Sequence, residues 1–344
     1  MSTLVRAGCL LGAAVAGDLV MARQPAPGTR LQPTFATDFP DPFIIAGDDG
    51  YVAFATNATK LRANVQMARS PDLKSWSLME AGGRLHDAMP QLPSWAEAGR
   101  TWAPEVMHIA GRYVLYFTAR ERRSGLQCVG AAASKQVIGP YVSQELAPLV
   151  CQRDLGGTID ASPFRDRNGT LYLYYKNDGN NPSVLKPSQI WVQRLTPDGL
   201  SLTGAAKPLI GNTLKWEWRV VESPAMTRAS NGSYVLFFSA NHFGWETDQR
   251  LSNYAVGYAT CAGPEGPCTK APENPILKSY YGKSLGCLSG PGHQTVLETG
   301  GRQYLVFHAW SATARCLRAG QGRYMYVAPL TWNGATPVIG ASLR

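Results

Sequence analysis

The sequence predicts an all-β protein folded as a five-bladed β-propeller. Three observations carry this. Apolar residues fall in short alternating stretches, the pattern of half-buried strands. Turn formers are plentiful, with 35 Gly and 24 Pro in 344 residues. A single unit, Gly followed by alternating aromatic and aliphatic residues, returns five times at roughly 60-residue spacing, as blades of a propeller do.

Taken in order, residues 1–16 read as a signal peptide. Arg6 supplies the positive end, Gly8 to Val15 the short apolar region, and Ala14-Val15-Ala16 an A-x-A-like cleavage site. Residues 17–33, rich in Pro, Gly and Arg, read as an arm or linker. The propeller is expected over residues 34–344. Its aromatic strands are Gly50 to Phe54, Gly111 to Phe117, Gly169 to Tyr175, Gly232 to Phe238 and Gly301 to Phe307. A third strand follows each, beginning near Asn64, Cys128, Ile190, Tyr254 and Tyr324, and an edge strand such as Trp76-Ser77-Leu78 closes several units. Four antiparallel strands per unit describe a propeller blade. Gln91 to Ala98 is the one stretch read as holding a helical turn.

The first strand of each blade lines the axis. Those strands carry Asp41, Ala103-Pro104, Asp160, Glu222 and Gly292-His293, so three acids are expected at equivalent points around one end of the axis.

Composition narrows the function. No apolar run reaches the ~18–20 residues of a membrane span. The net charge is +9, but the basic residues are scattered, with no Lys/Arg run interleaved with aromatics, so nucleic acid is not an expected partner. The charge would steer an acidic polysaccharide. Cys9 lies within the signal region. The remaining six cysteines suggest neighbour pairing, Cys128–Cys151, Cys261–Cys268 and Cys287–Cys316, in an oxidising compartment. Their spacings fit no zinc motif. Sequons at Asn57, Asn168 and Asn231 are compatible with secretion.

The motifs around the acids carry a resemblance. Pro40-Asp41-Pro42, Ala68-Arg69-Ser70-Pro71-Asp72-Leu73-Lys74-Ser75-Trp76, Trp102-Ala103-Pro104-Glu105-Val106, Ile159-Asp160-Ala161-Ser162-Pro163-Phe164 and Val221-Glu222-Ser223-Pro224 stand in order, followed by Gly292-His293 and Gly322-Arg323. Together they resemble glycoside hydrolase family 43, the five-bladed group of arabinanases, arabinofuranosidases and β-xylosidases. The resemblance implies an inverting mechanism. Asp41 would be the general base, Glu222 the general acid, and Asp160 would orient Glu222 and raise its pKa. The family often has Gly after the acid, where this chain has Ser223.

The resemblance also implies Arg323 facing the pocket and a calcium ion near His293, reached partly through water, with no cofactor needed for the chemistry. Phe43 and Trp102 are candidates for the pocket wall, and Trp245 for a subsite. Glu105 is read as structural, and Asp38 is given no role. The expected protein is a secreted, extracellular monomer acting on arabinan or arabinoxylan of plant cell walls, by exo action on arabinose or xylose units. The alternatives are an endo-α-1,5-L-arabinanase and a catalytically silent carbohydrate-binding propeller.

Overall fold

The computed structural model describes residues 30–58, 62–244, 251–282, 286–313 and 316–343. The signal region 1–16, the arm as far as residue 29, and Trp245 lie outside the described residues. Blade I is built from β1 (Phe43–Gly47), β2 (Gly50–Ala55), β3 (Gln66–Ser70) and β4 (Ser77–Leu78), and the hairpin of β5 (Glu80–Ala81) and β6 (Arg84–Leu85) follows. Blade II holds β7 (Ala96–Ile109), β8 (Arg112–Glu121) and β9 (Gln127–Ser134). Blade III holds β10 (Thr158–Arg165), β11 (Leu171–Asn177), β12 (Gln189–Leu195) and β13 (Leu202–Gly211).

Blade IV holds β14 (Val221–Arg228), β15 (Tyr234–Ala240), β16 (Ala255–Cys261) and β17 (Cys268–Lys270). After the hairpin of β18 (Tyr280–Gly282) and β19 (Gly286–Leu288), blade V holds β20 (Gly292–Thr299), β21 (Arg302–Ala312), β22 (Arg318–Asn333) and β23 (Thr336–Ile339). Neighbours in every blade are antiparallel and sequential.

Two details differ from expectation. Blade II has three regular strands. Its outer position is filled by the isolated bridges Val129↔Val150 and Ala133↔Val142. The helical turn expected over Gln91 to Ala98 is replaced by a single turn, closed by Ala96 N donating to Pro93 O, and by the start of β7, which pairs Ala96 with Glu121.

Alternation explains why five blades close into a ring. Successive side chains of a strand face opposite sides of its sheet. On β11, Leu171, Leu173 and Tyr175 join the apolar cluster shared with blade II, whereas Tyr172 and Tyr174 join that shared with blade IV. On β15, Leu236 and Phe238 face blade III while Val235 and Phe237 face blade V. On β2, Val52 and Phe54 face blade II, and Ala53 and Ala55 face blade V. Each aromatic strand is therefore apolar on both faces, and five clusters fill the five gaps between blades. Burying one such Phe or Leu is worth about 1.5–3 kcal/mol. The layout gives the core to the wedges and leaves the axis to polar residues.

The ring closes through the N-terminal segment. Thr34 and Phe35 donate backbone hydrogen bonds to Met325 O, and Phe39 donates to Arg323 O, both on β22 of the last blade. Leu31 is buried in the cluster between blades IV and V, and its N–H bonds Tyr280 Oη. The three cysteine pairs are bonded as expected: Cys128–Cys151, Cys261–Cys268 and Cys287–Cys316.

Candidate active site

Each blade's first strand, or in blade I the segment leading into it, is bent at one residue in the left-handed region. These are Asp41 (φ 57), Ala103 (φ 47), Asp160 (φ 57), Ser223 (φ 53) and His293 (φ 49). In blades II to V the pairing slips at that residue, between Trp102 and Glu105, Ile159 and Ser162, Glu222 and Ala225, and Gly292 and Thr295. Such bulges re-aim side chains near functional sites. They turn five residues toward one end of the axis.

This corrects the expected equivalence of the acids. Asp41 and Asp160 occupy the same point of the repeat, but the matching residue of blade IV is Ser223. Glu222 stands one residue earlier, in register with Ile159 and Trp102. The positive φ also accounts for the glycine common in the family at this point, since Gly adopts it freely. Ser223 is held there by its surroundings. Its N–H donates to Asp160 Oδ2 at 3.0 Å, and its Oγ lies 2.8 Å from His293 Nδ1.

A repeated contact locks four of the five bends. The bent residue's N–H reaches back to a side chain on the second strand of the preceding blade. Ala103 N donates to Thr56 Oγ1 (2.9 Å), Asp160 N to Thr118 Oγ1 (3.2 Å), His293 N to Ser239 Oγ (2.8 Å) and Asp41 N to His308 Nδ1 (3.1 Å). At the fifth place the second-strand residue is Lys176, paired across from Ile159. An ammonium cannot accept, and the Asp160 carboxylate takes the Ser223 N–H instead.

The cleft above these bends has a volume of about 530 Å³. Asp41, Asp160, Glu222, Trp102, His293 and Arg323 all line it, so the structure brings together most of the expected residues. Phe43 is not among the lining residues; it opens β1 and packs against the cluster between blades I and II. A larger cavity, about 1090 Å³, lies among the outer ends of β10, β14 and β20, where it meets none of the three acids. Glu105 is buried under Ser162 Oγ at 2.9 Å, consistent with a structural role. Asp38 Oδ1 accepts from Arg323 N–H at 2.9 Å.

The three carboxylates differ in their surroundings. Asp41 accepts from Thr56 Oγ1 at 2.5 Å and from Arg323 Nη1 at 2.9 Å, with His308 and His293 Nδ1 at 3.3 and 3.4 Å. Burial opposes ionisation, but the Arg323 guanidinium, followed by His293, outweighs it and holds Asp41 well below the usual carboxylate range. His308 accepts the Asp41 N–H through Nδ1, and burial together with Arg323 drops its pKa to about 4.

Asp160 goes the other way: burial, then the charge of Glu222, lift it to about 6 against the pull of His293 and Lys176. Glu222 is surrounded by donors, with Lys176 Nζ 2.9 Å from Oε2 and Tyr254 Oη 2.7 Å from Oε1. Despite burial, Lys176 and Tyr254 hold Glu222 below its usual value. The expectation that Asp160 leaves Glu222 raised is thus reversed in the free chain, because a buried ammonium sits between the acid and neutrality.

Sequence reasoning missed Lys176, Tyr254, Thr56 and His308. Lys176 carried a signal, being the single charged residue of the strand Leu171–Asn177, every residue of which is buried. Around His293, no set of three or more His, Cys, Asp or Glu ligand atoms converges among the described residues; the one such group is Glu121 with the disulfide pair Cys128 and Cys151. Calcium takes about 6–8 oxygen ligands. The residues at His293 do not amount to such a cage, and an ion there would keep mostly water ligands.

The described residues include no helix long and apolar enough to cross a membrane. The chain is 28% identical over 262 residues to an extracellular endo-α-(1→5)-L-arabinanase of Thermotoga petrophila, covering 69% of this chain and 52% of that one. It is 24% identical over 307 residues to an arabinoxylan arabinofuranohydrolase of Paenibacillus polymyxa, covering 81% and 45%. The chain thus spans about half the length of these two relatives. A crystal structure of a thermostable family-43 glycoside hydrolase superposes with a TM-score of 0.76 at 27% identity, over 92% of this chain and 97% of that one. The model of the family named glycosyl hydrolases family 43 matches residues 31–337, and the chain belongs to that family.

Proposed function

We propose that the chain is a secreted, monomeric, inverting glycosidase that removes terminal α-L-arabinofuranosyl or β-D-xylosyl units from arabinan or arabinoxylan. The observation that carries this reading is the split between three acids lining one cleft: Asp41 held ionised beside Arg323, Glu222 held between Lys176 and Tyr254, and Asp160 raised to about 6 by burial and then the charge of Glu222. Asp41 Oδ would take a proton from water as the water oxygen bonds to the anomeric carbon. Glu222 would give its proton to the leaving oxygen as the bond from that oxygen to the anomeric carbon breaks. Asp160, the neighbour with the higher proton affinity, would supply the pair's proton and hold the Ser223 bend beside Glu222. Inversion asks for carboxyls about 6.5–9.5 Å apart, with room for that water. Trp102 and Arg323 would contact the sugar, and any ion at His293 would be structural.

The identity to a named endo-arabinanase supports a second reading, internal cleavage of arabinan. The experiment is hydrolysis of debranched arabinan, arabinoxylan, an aryl α-L-arabinofuranoside and an aryl β-D-xyloside, with product anomers followed by NMR. Monosaccharide of inverted configuration supports the first reading, and oligosaccharide from arabinan the second. Failure on all four substrates, with binding retained, would leave a carbohydrate-binding propeller.

A further inference from the structure

Lys176 breaks a five-fold rule. At the four matching places Thr56, Thr118, Ser239 and His308 each accept the N–H of the next blade's bent residue. A hydroxyl at position 176 would complete the set for Ser223. The chain instead buries a lysine whose side chain is 0% exposed. A buried charge is costly unless paired, so local consistency is given up here, as happens at functional sites.

The lysine's contacts show what it is used for. Its Nζ donates to Glu222 Oε2 at 2.9 Å and to Asn180 Oδ1 at 2.6 Å, with Asp178 Oδ1 at 3.6 Å. Glu222 Oε1 meets the Tyr254 hydroxyl at 2.7 Å. The two partners differ in kind. Ammonium has donors alone, whereas a hydroxyl donates or accepts. A proton on Oε2 would face an N–H of Lys176 with no lone pair to receive it. A proton on Oε1 is tolerated, because the Tyr254 hydroxyl can turn, with Ser223 Oγ 3.5 Å away.

We infer that Lys176 is a positioning residue for the acid: it pins Glu222 Oε2 as an acceptor and leaves Oε1 as the oxygen that carries and delivers the proton. The inference rests on the proposed role of Glu222. In the step, the Oε1–H bond breaks as the proton joins the leaving oxygen, which keeps the electron pair of its broken bond to the anomeric carbon. Glu222 is then an anion already paired with Lys176. The same lysine that pins the acid therefore also stabilises the product of its proton transfer. The groups facing Glu222 are Lys176, Asp178 and Asp160 from blade III, Tyr254 from blade IV and His293 from blade V.

The test is the pH profile of kcat/KM on an aryl glycoside for the full chain and two variants. Lys176→Met removes the cation, and the high-pH limb should move up by about 1–3 pH units, the effect of one close opposite charge. Asp178→Asn removes a like charge facing Glu222 and unshields Lys176, so the limb should move down. A merely structural lesion lowers the rate evenly across pH and gives no opposed shifts. Unmoved limbs in both variants, with the parent chain active, would overturn the proposal. If Lys176→Met does not fold, the downward shift in Asp178→Asn carries the test and its absence refutes the idea. A parent chain inactive on every glycoside would instead remove the glycosidase reading, and this proposal with it.

Discussion

Arg323 Nη1 lies 2.9 Å from Asp41 Oδ1 and ties the last blade to the first across the seam of the ring. The guanidinium is itself fixed, lying over the rings of Phe243 and Trp310 at 5.6 and 5.8 Å. Asp41 in the fold is held below its unfolded value. Its contribution to stability is therefore present above the unfolded carboxylate pKa and lost as pH falls through the folded one. Arg323→Met should raise the Asp41 pKa by about 1–3 units. If Asp41 is the base, as proposed, it must be ionised, so the low-pH limb of kcat/KM should rise with it, and acid unfolding should begin at higher pH. A pH–rate profile and acid denaturation of the variant check both signs.

The division of labour between Asp41 and Glu222 predicts different leaving-group behaviour. Glu222→Gln should cost about 10²–10⁴-fold on alkyl or sugar leaving groups. On a nitrophenyl glycoside, whose phenolate leaves unaided, much of that loss should vanish. Asp41→Asn should lose a similar factor on every substrate, since all need water activated. Azide should partly rescue Asp41→Asn, giving the glycosyl azide of inverted configuration. Measured rates with Asp41→Asn sparing the aryl substrate and Glu222→Gln failing on all would reverse the two assignments.

Much of this site was legible from residue order. The aromatic strands named themselves by alternation on both faces, and the acid-bearing motifs before them fixed which end of each blade faces the axis. The register of the acids was not legible. Glu222 and Ser223 differ by one position, and a bulge decides which of them matches Asp160. A bulge depends on how two strands pair, which sequence spacing does not encode. Lys176 was hidden for another reason. A lysine at a strand end usually snorkels to water, and here it is instead enclosed by the loop residues Asp178 and Asn180 just after it and by Glu222 from the next blade.

Ser223 offers a test of the bend. Its φ of 53 is strained for a branched residue. Ser223→Gly should fold with stability near that of the parent, trading lost contacts to Asp160 and His293 for backbone ease. Ser223→Val should cost about 1–3 kcal/mol and disturb Glu222 beside it. Thermal denaturation ranks the pair, and equal melting temperatures would refute the strain argument.

The disulfides differ in the loops they close. Cys261–Cys268 spans 7 residues and Cys287–Cys316 spans 29. On loop-entropy grounds, replacing the longer pair by Ser should cost about 1 kcal/mol more than replacing the shorter. Paired melting curves of the two double variants read this difference.

The hydrogen bonds from Thr34, Phe35 and Phe39 make the segment leading into blade I a neighbour of the last blade. Asp41, the proposed base, sits directly beyond that join, while Glu222 and Asp160 are carried by blades away from it. A circular permutant that moves the break to a loop between other blades would thus test whether base and acid respond separately to where the chain is cut. Fraying of the native opening segment would disarm water activation first, with the opposite side of the cleft still assembled.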